Sequence, residues 1–275
     1  MNHQEYLHWT YFGDSALDAV EFDRLAELFA GVELFIDVGA SHGVYTYHAL
    51  QHMKGGRIIS IEADPERFAI LEKNVAEWTA DGSGDVTCIF AAATDQEDLD
   101  EGPTATFFTT GTQISGGLFP VGERSDAYEP IEVPRLSLDD YAGSGATTLV
   151  KIDVEGGELR VLKGATRLIE SGTARFFVEL SWWGDRDRGT SVFSTLRHVY
   201  RSGLGIERRL RSDYLLFPER QKRTRLGQMA RVVPPLLPRF LFSVLAPYRL
   251  RKAYIRRQNE QRVARVQTSQ TSPES

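Results

Sequence analysis

The sequence predicts an α/β protein: a doubly wound, mostly parallel sheet closed by an antiparallel hairpin, followed by a basic C-terminal extension. Three observations carry this. Short apolar runs alternate with helix-length segments along most of the chain. The first apolar run, ELFIDV, leads into a glycine turn and then a helix. Before the basic tail, IERRLR and YLLFPE stand close enough to pair as a hairpin.

The elements follow in order. Residues 15–30 have helical spacing, with Asp14 or Ser15 as N-cap, so 1–32 reads as a helical lead-in. ELFIDV (33–38) is a buried parallel strand. VYTYHALQHM is a helix ended by Gly55-Gly56. RIISIEA (57–63) is the second strand, and Pro65 starts a helix running to about Trp78. DVTCIFAA (85–92) is the third strand. Residues 93–130 are polar, rich in Gly and Thr and without clear period, an insert long enough to be functional or to carry small elements of its own. IEVPRLSLDDY reads as a strand entering a short helix. TTLVKID (147–153) is the fourth strand of the parallel series, with GELRVLKGATRLIES as its helix. ARFFVELS (174–181) is the fifth, followed by a helix over 190–202 and the hairpin. The main domain is thus expected over 33–218 and the tail over 219–275.

A chain of 275 residues, 41% hydrophobic and 25% charged, can build a sizeable core without disulfides or metals. Its single cysteine, Cys88, excludes an intrachain disulfide and reads as a small buried hydrophobe. The N-terminus lacks the pattern of a secretory signal, and no apolar run is long enough to span a bilayer. A cytoplasmic location is expected. The net charge of −6 hides an asymmetry: residues 219–275 carry 13 Lys+Arg against 3 Asp+Glu.

The turn GASHG supports two chemistries. It spells G-x-S-x-G, which would make Ser41 a hydrolase nucleophile. It also spells D-x-G-x-x-x-G from Asp37, a loop suited to a nucleotide-like cofactor. A hydrolase elbow follows several strands and an oxyanion loop, whereas here only one helix and one strand precede Gly39. Asp185 or Asp187 and His198 could complete a triad, but nothing marks them out. The cofactor reading makes a demand that the chain meets: Glu62 lies 23 residues beyond Gly39, at the end of the second strand, where an acid takes ribose hydroxyls. Gly39 and Gly43 are then expected to allow close backbone approach, with Ser41 a turn residue and N-cap. Asp37 would repel a pyrophosphate but suits an ammonium and a sulfonium, which points to S-adenosylmethionine. Tyr248 and Lys252 match a dehydrogenase spacing but fall in the basic tail, where the match reads as chance.

These motifs together resemble the FkbM-type methyltransferases, a family with the class I, Rossmann-like S-adenosylmethionine fold. The resemblance covers about 33–181. It runs through FIDVGASHGVY, IEADPERFAILEKNV, FAAATD, VPRLSLDDY, VKIDVEGGELRVLKGA and FFVEL. It implies that Asp37, Gly39 and Gly43 line the methionine part of the cofactor, with Ala40 also at the cofactor site, that Glu62 holds the ribose, and that Ala63, Ala91 and Ala92 face the adenine. It further implies O-methylation, often of a hydroxyl on a sugar or a sugar-bearing natural product.

A sugar hydroxyl is a poor nucleophile near neutrality, so a carboxylate base is expected beyond the strand ends. Asp153 is the expected base, with Glu155 or Glu179 orienting the acceptor, and crowding is expected to raise the acids' pKa values. A divalent cation held by these acids is an alternative, but no metal site is predicted. Glu158 reads as a helix cap. Methylation of a uronic acid carboxylate would need no base and stays open. His48 and His52 have metal-like spacing but no third ligand, so a solvated helix face is the expectation. His42 should act through its backbone, and Trp182-Trp183 is either a sugar platform or packing. Prolines 234, 235, 238 and 247 break the apolar part of the tail. Residues 219–257 therefore suit either peripheral contact with an anionic membrane or a packed terminal helix. A glycan or glycolipid acceptor is expected, and nucleic acid is not.

Overall fold

The computed structural model describes residues 26–109, 129–142, 145–154, 156–180, 192–208 and 213–218. Residues Leu28–Val232 form one compact unit, to which everything below belongs. Most of the lead-in, Asp185, Asp187, Trp182-Trp183, Glu155 and the tail lie outside the described residues.

The first strand, β1 (Leu34–Val38), is buried along its whole length. Helix α1 (Val44–His52) follows the glycine turn. Its N-cap is Gly43, in a left-handed conformation and without a side-chain cap. Ser41 is therefore not the cap: at φ 52 it is a left-handed turn residue two positions earlier. Strand β2 (Arg57–Glu62) leads into α2 (Pro65–Trp78), where Pro65 takes the first turn and Asp64 caps the Glu66 and Arg67 N–H groups.

Strand β3 (Asp85–Phe90) ends earlier than the sequence suggests, because Ala92–Ala93 leave the main sheet as β4 and pair elsewhere. The insert then forms α3 (Gln96–Glu101) and β5 (Thr104–Thr109), and β6 (Glu129–Leu136) returns beside β5. These strands make a second sheet, ordered β4-β6-β5, with Ala92, Ala105, Phe107 and Val133 as its core. Cys88 is half-buried against another cluster, around Leu71 and Val75.

Strand β7 (Thr148–Ile152) is fully buried. The single helix expected after it is broken into α4 (Glu158–Lys163) and α5 (Thr166–Glu170). The break has a cause. Gly164 lies against the Thr94 carbonyl so closely that a Cβ there would stand 1.9 Å from the oxygen, and its own carbonyl accepts from the Ser137 hydroxyl at 2.8 Å. Asp139, 28 residues before Arg167, then caps α5 by accepting from the Arg167 N–H at 2.7 Å and the Leu168 N–H at 3.3 Å. The acidic LDDY segment thus serves helix capping. Gly164→Ala is expected to destabilise the fold by about 3 kcal/mol, read as a fall in the denaturant midpoint, because backbone rather than a side chain must yield.

Strand β8 (Ala174–Glu179), helix α6 (Val192–Arg201) and the hairpin β9 (Leu204–Arg208) and β10 (Asp213–Pro218) complete the main sheet. Its order is β3-β2-β1-β7-β8-β10-β9. All pairs are parallel except β8–β10 and β10–β9. The hairpin does close the sheet, but its second strand is the inner one. Strand order reverses between β1 and β7, and a crevice outside the carboxyl ends at such a switch point is where open α/β sheets bind ligands.

Candidate active site at the switch point

The glycine turn is fastened to the end of β2. The Gly39 and Ala40 N–H groups both donate to the Ile61 carbonyl, at 2.9 and 3.0 Å. Glu62, 5% exposed, completes the attachment. One carboxylate oxygen accepts from the Ser41 N–H at 2.7 Å, and the other from the Ala63 and Asp64 N–H groups at 3.0 and 2.9 Å. Burial pushes the Glu62 carboxyl up, against these hydrogen bonds. Asn74 on α2 donates to the His42 carbonyl at 2.8 Å, so His42 does take part through its backbone.

The turn glycines are also required by contacts within the protein. A Cβ on Gly39, at φ +74, would lie 1.9 Å from the Asp153 carbonyl oxygen, and one on Gly43 would lie 2.8 Å from Leu71 Cδ1. The close approach is between the turn, the end of β7 and α2. Gly39→Ala combines a backbone clash with a strained φ, and is expected to lower the thermal midpoint by at least 10 °C, on the order of 3 kcal/mol or more.

Asp37 is fully buried. Its Oδ2 accepts from the Thr46 hydroxyl at 2.9 Å, and Thr46 in turn meets Ser60 at 2.6 Å. Its Oδ1 has no hydrogen bond and faces the Lys151 ammonium at 3.7 Å. Burial raises the Asp37 carboxyl, Lys151 and Thr46 only partly offsetting it.

Lys151 is the charged member of this cluster that the sequence reading did not single out. It sits opposite Asp37 in the β1–β7 register, with only 6% of its side chain exposed. Its ammonium lies 3.3 Å from Asp153 Oδ2, donates to the Gly39 carbonyl at 3.1 Å, and stands over the Tyr45 ring, 4.8 Å from the centroid. The signal was present in TTLVKID: a lysine inside an otherwise apolar strand is buried, and a buried ammonium must have partners.

Asp153 follows β7 with about a third of its side chain exposed. Burial works to raise its carboxyl, but Lys151, a hydrogen bond with Glu179 and Arg67 outweigh it and hold it below the ordinary value of 3.8. The expected raising by carboxylate crowding is thus overturned at Asp153, because a cation sits inside the acidic cluster. The structure does bring Asp153 and Glu179 together, and Asp213 on β10 pairs with Glu179 in register. Burial, together with the nearby Asp213, raises the Tyr45 hydroxyl far above its usual range, so it stays protonated.

Ala40 packs with Leu71 and Val75, while Ala92 belongs to the small-sheet core against which Ala63 rests. Ala91 is buried beside them, its N–H donating to the Glu62 carbonyl at 3.1 Å. Thr109, at the end of β5, donates to Asp64 Oδ2 at 3.3 Å, which ties the insert to the end of β2. Glu158 opens α4 and accepts from the Gly156 N–H at 2.8 Å, ahead of the N-cap Gly157, so this bond fastens the preceding turn rather than capping the helix. His48 and His52 stack with ring centroids 6.0 Å apart. Among the described residues no three His, Cys, Asp or Glu side chains form a metal-binding group. Burial lowers His48 to about 4 from 6.5. A depressed histidine gives stability that is present above 6.5 and lost as pH falls towards 4. His48→Gln is expected to flatten that acid loss in thermal melts.

The model of the methyltransferase FkbM domain family matches residues 37–202, more than half of the chain. The chain belongs to this family. It is therefore an S-adenosylmethionine-dependent methyltransferase. No curated protein matches it in sequence. Among solved structures it is similar to a precorrin-6y C5,15-methyltransferase from Geobacter metallireducens, with 13% identity over 72% of this chain and 85% of that one, at a TM-score of 0.39. It is also similar to an O-methyltransferase family protein from Burkholderia thailandensis, with 12% identity over 81% of this chain and 62% of that one, at 0.42. Membership in the FkbM-type family replaces the hydrolase reading of Ser41. In this methyltransferase the Ser41 N–H serves Glu62, and His198 on α6 bonds to the Leu162 backbone instead. No helix among the described residues is long and apolar enough to cross a membrane.

Proposed function

We propose that this methyltransferase alkylates a hydroxyl on a sugar of a glycan or lipid-linked glycan. The observation that carries the reading is the hydrogen-bonded Asp153–Glu179 pair at the strand ends, with Lys151 beside it. Asp37, Gly39, Ala40 and Gly43 hold the methionine part of the donor, Glu62 the ribose, and Ala63, Ala91 and Ala92 the adenine side. The residues suit that group. Asp37 Oδ1 is buried without a hydrogen bond, 3.7 Å from the Lys151 ammonium, and keeps acceptor capacity for a second ammonium. The three N–H groups on Glu62 aim its carboxylate and leave it further acceptor capacity.

When bound, S-adenosylmethionine supplies a methyl carbon already activated by its sulfonium. Asp153, held ionised, accepts the proton of the acceptor hydroxyl, and Glu179 orients that hydroxyl. Glu155 is a further candidate of the same kind. A uronic acid carboxylate is the less favoured acceptor, because the ionised Asp153 would repel an anion and a base would have nothing to do. Contact of residues 219–257 with an anionic membrane would suit a lipid-linked acceptor. Deleting 219–275 is then expected to release the protein from anionic vesicles.

The test is methyl transfer from labelled donor into extracted lipid-linked and free glycans, followed by mild alkali. Label that survives alkali on a sugar marks a methyl ether, as expected. Label released as methanol marks an ester and the uronic acid reading. Label found only outside sugars sinks both.

A further inference from the structure

We propose that the Lys151 ammonium sets the charge of the donor site, loosening its hold on the cationic sulfonium donor relative to the neutral thioether product. The inference rests on the donor lying at the switch point. There Asp37 and Asp153 form the acidic pair from β1 and β7, and Lys151 is wedged between them, 3.7 Å from one and 3.3 Å from the other. It is held by more than charge. The Gly39 carbonyl accepts from it at 3.1 Å, and the face of Tyr45 covers it. The ammonium is therefore fixed beneath the glycine turn, in a buried place where Coulomb interactions are weakly screened.

The chemistry gives such a cation a purpose. In the transfer the acceptor oxygen forms a bond to the methyl carbon, the carbon–sulfur bond breaks, and its electron pair stays on sulfur. The sulfonium becomes a neutral thioether, and the hydroxyl proton passes to Asp153. Positive charge at sulfur falls as the reaction proceeds. Two unopposed carboxylates would hold the sulfonium most strongly before reaction, and binding that weakens towards the transition state slows the chemical step. Lys151 trims that excess while leaving Asp153 ionised. Arg67 is a second cation acting on Asp153, from α2 rather than from within the pair. Lys151 is thus a positioning residue that acts through the two acids.

The test is calorimetric titration of the full chain with S-adenosylmethionine and with S-adenosylhomocysteine, in mildly alkaline buffer so that Asp37 stays ionised. The quantity read is the ratio of the two dissociation constants, donor over product. Lys151→Met is expected to lower this ratio about tenfold, Lys151→Arg to leave it within about twofold, and Asp153→Asn to raise it several-fold. A purely structural lysine would change both constants by one factor, and an unmoved ratio in Lys151→Met overturns the proposal. So does a ratio that moves equally in Lys151→Arg. Where Lys151→Met does not fold, Asp153→Asn decides, since its side chain is partly exposed and an isosteric amide should be tolerated. Glu62→Ala separates the premises. If it weakens neither ligand, the donor lies elsewhere and the placement fails. If it weakens both while the ratio stays constant across the Lys151 and Asp153 variants, only the role of Lys151 fails.

Discussion

Glu62→Ala is expected to weaken S-adenosylhomocysteine binding about a hundredfold, roughly 2.7 kcal/mol. Two losses add. The first is the charge-assisted hydrogen bonding between the carboxylate and the ribose hydroxyls, on the order of 1.5–3 kcal/mol. The second is the support of the turn, because Glu62 accepts from the N–H groups of Ser41, Ala63 and Asp64. Removing it leaves three donors without their partner, and the left-handed Ser41 then loses the bond that fixes it. Glu62→Gln separates the two losses. It keeps an acceptor for the turn but gives up the charge, so it should fall between wild type and alanine. Calorimetry reads the affinities and circular dichroism checks the fold. A change of less than about threefold in a folded alanine variant would remove Glu62 from the donor site.

Glu62 was legible because its position follows from strand length and glycine spacing, two quantities that a one-dimensional pattern preserves. The same holds for the alternating strands and helices and for Pro65 as a helix start. What the pattern could not carry was set by contacts between distant segments. The helix after β7 breaks because Gly164 meets the Thr94 carbonyl, some seventy residues away in sequence. Ala92–Ala93 leave the main sheet because β6 offers them a partner forty residues later. Gly39 reads correctly as a special position, yet its missing Cβ makes room for the Asp153 carbonyl. The acids Asp153 and Glu179 were visible as strand ends, but their electrostatics were not. A count of carboxylates raises their pKa values, whereas the buried Lys151 reverses the sign at Asp153. That lysine was in plain view as the one charge inside TTLVKI. Partners from β1 and the glycine turn give it meaning.

Asp153→Asn should lower turnover by on the order of 10²–10⁴-fold, the range for loss of a general base, while S-adenosylhomocysteine affinity stays within a few-fold. The split matters because an amide at this position keeps the shape and most hydrogen bonds but cannot take the proton. The pH dependence carries further information. Because Lys151, the hydrogen bond with Glu179 and Arg67 outweigh burial, Asp153 stays ionised until pH falls below its ordinary 3.8. Asp153 therefore places no acid limb in the neutral range, and the variant should be slower by a similar factor throughout that range. The same lowering makes Asp153 a weak base, so it suits proton acceptance late in transfer, as the attacking oxygen becomes positive and its proton acidic. An acceptor hydroxyl ionised beforehand would need a stronger base than Asp153. Lys151→Met should lift Asp153 towards or above its usual value and bring an acid limb into view in the turnover profile. If Asp153→Asn transfers methyl groups at the wild-type rate, proton removal belongs to another group, and the carboxyl pair only orients the acceptor.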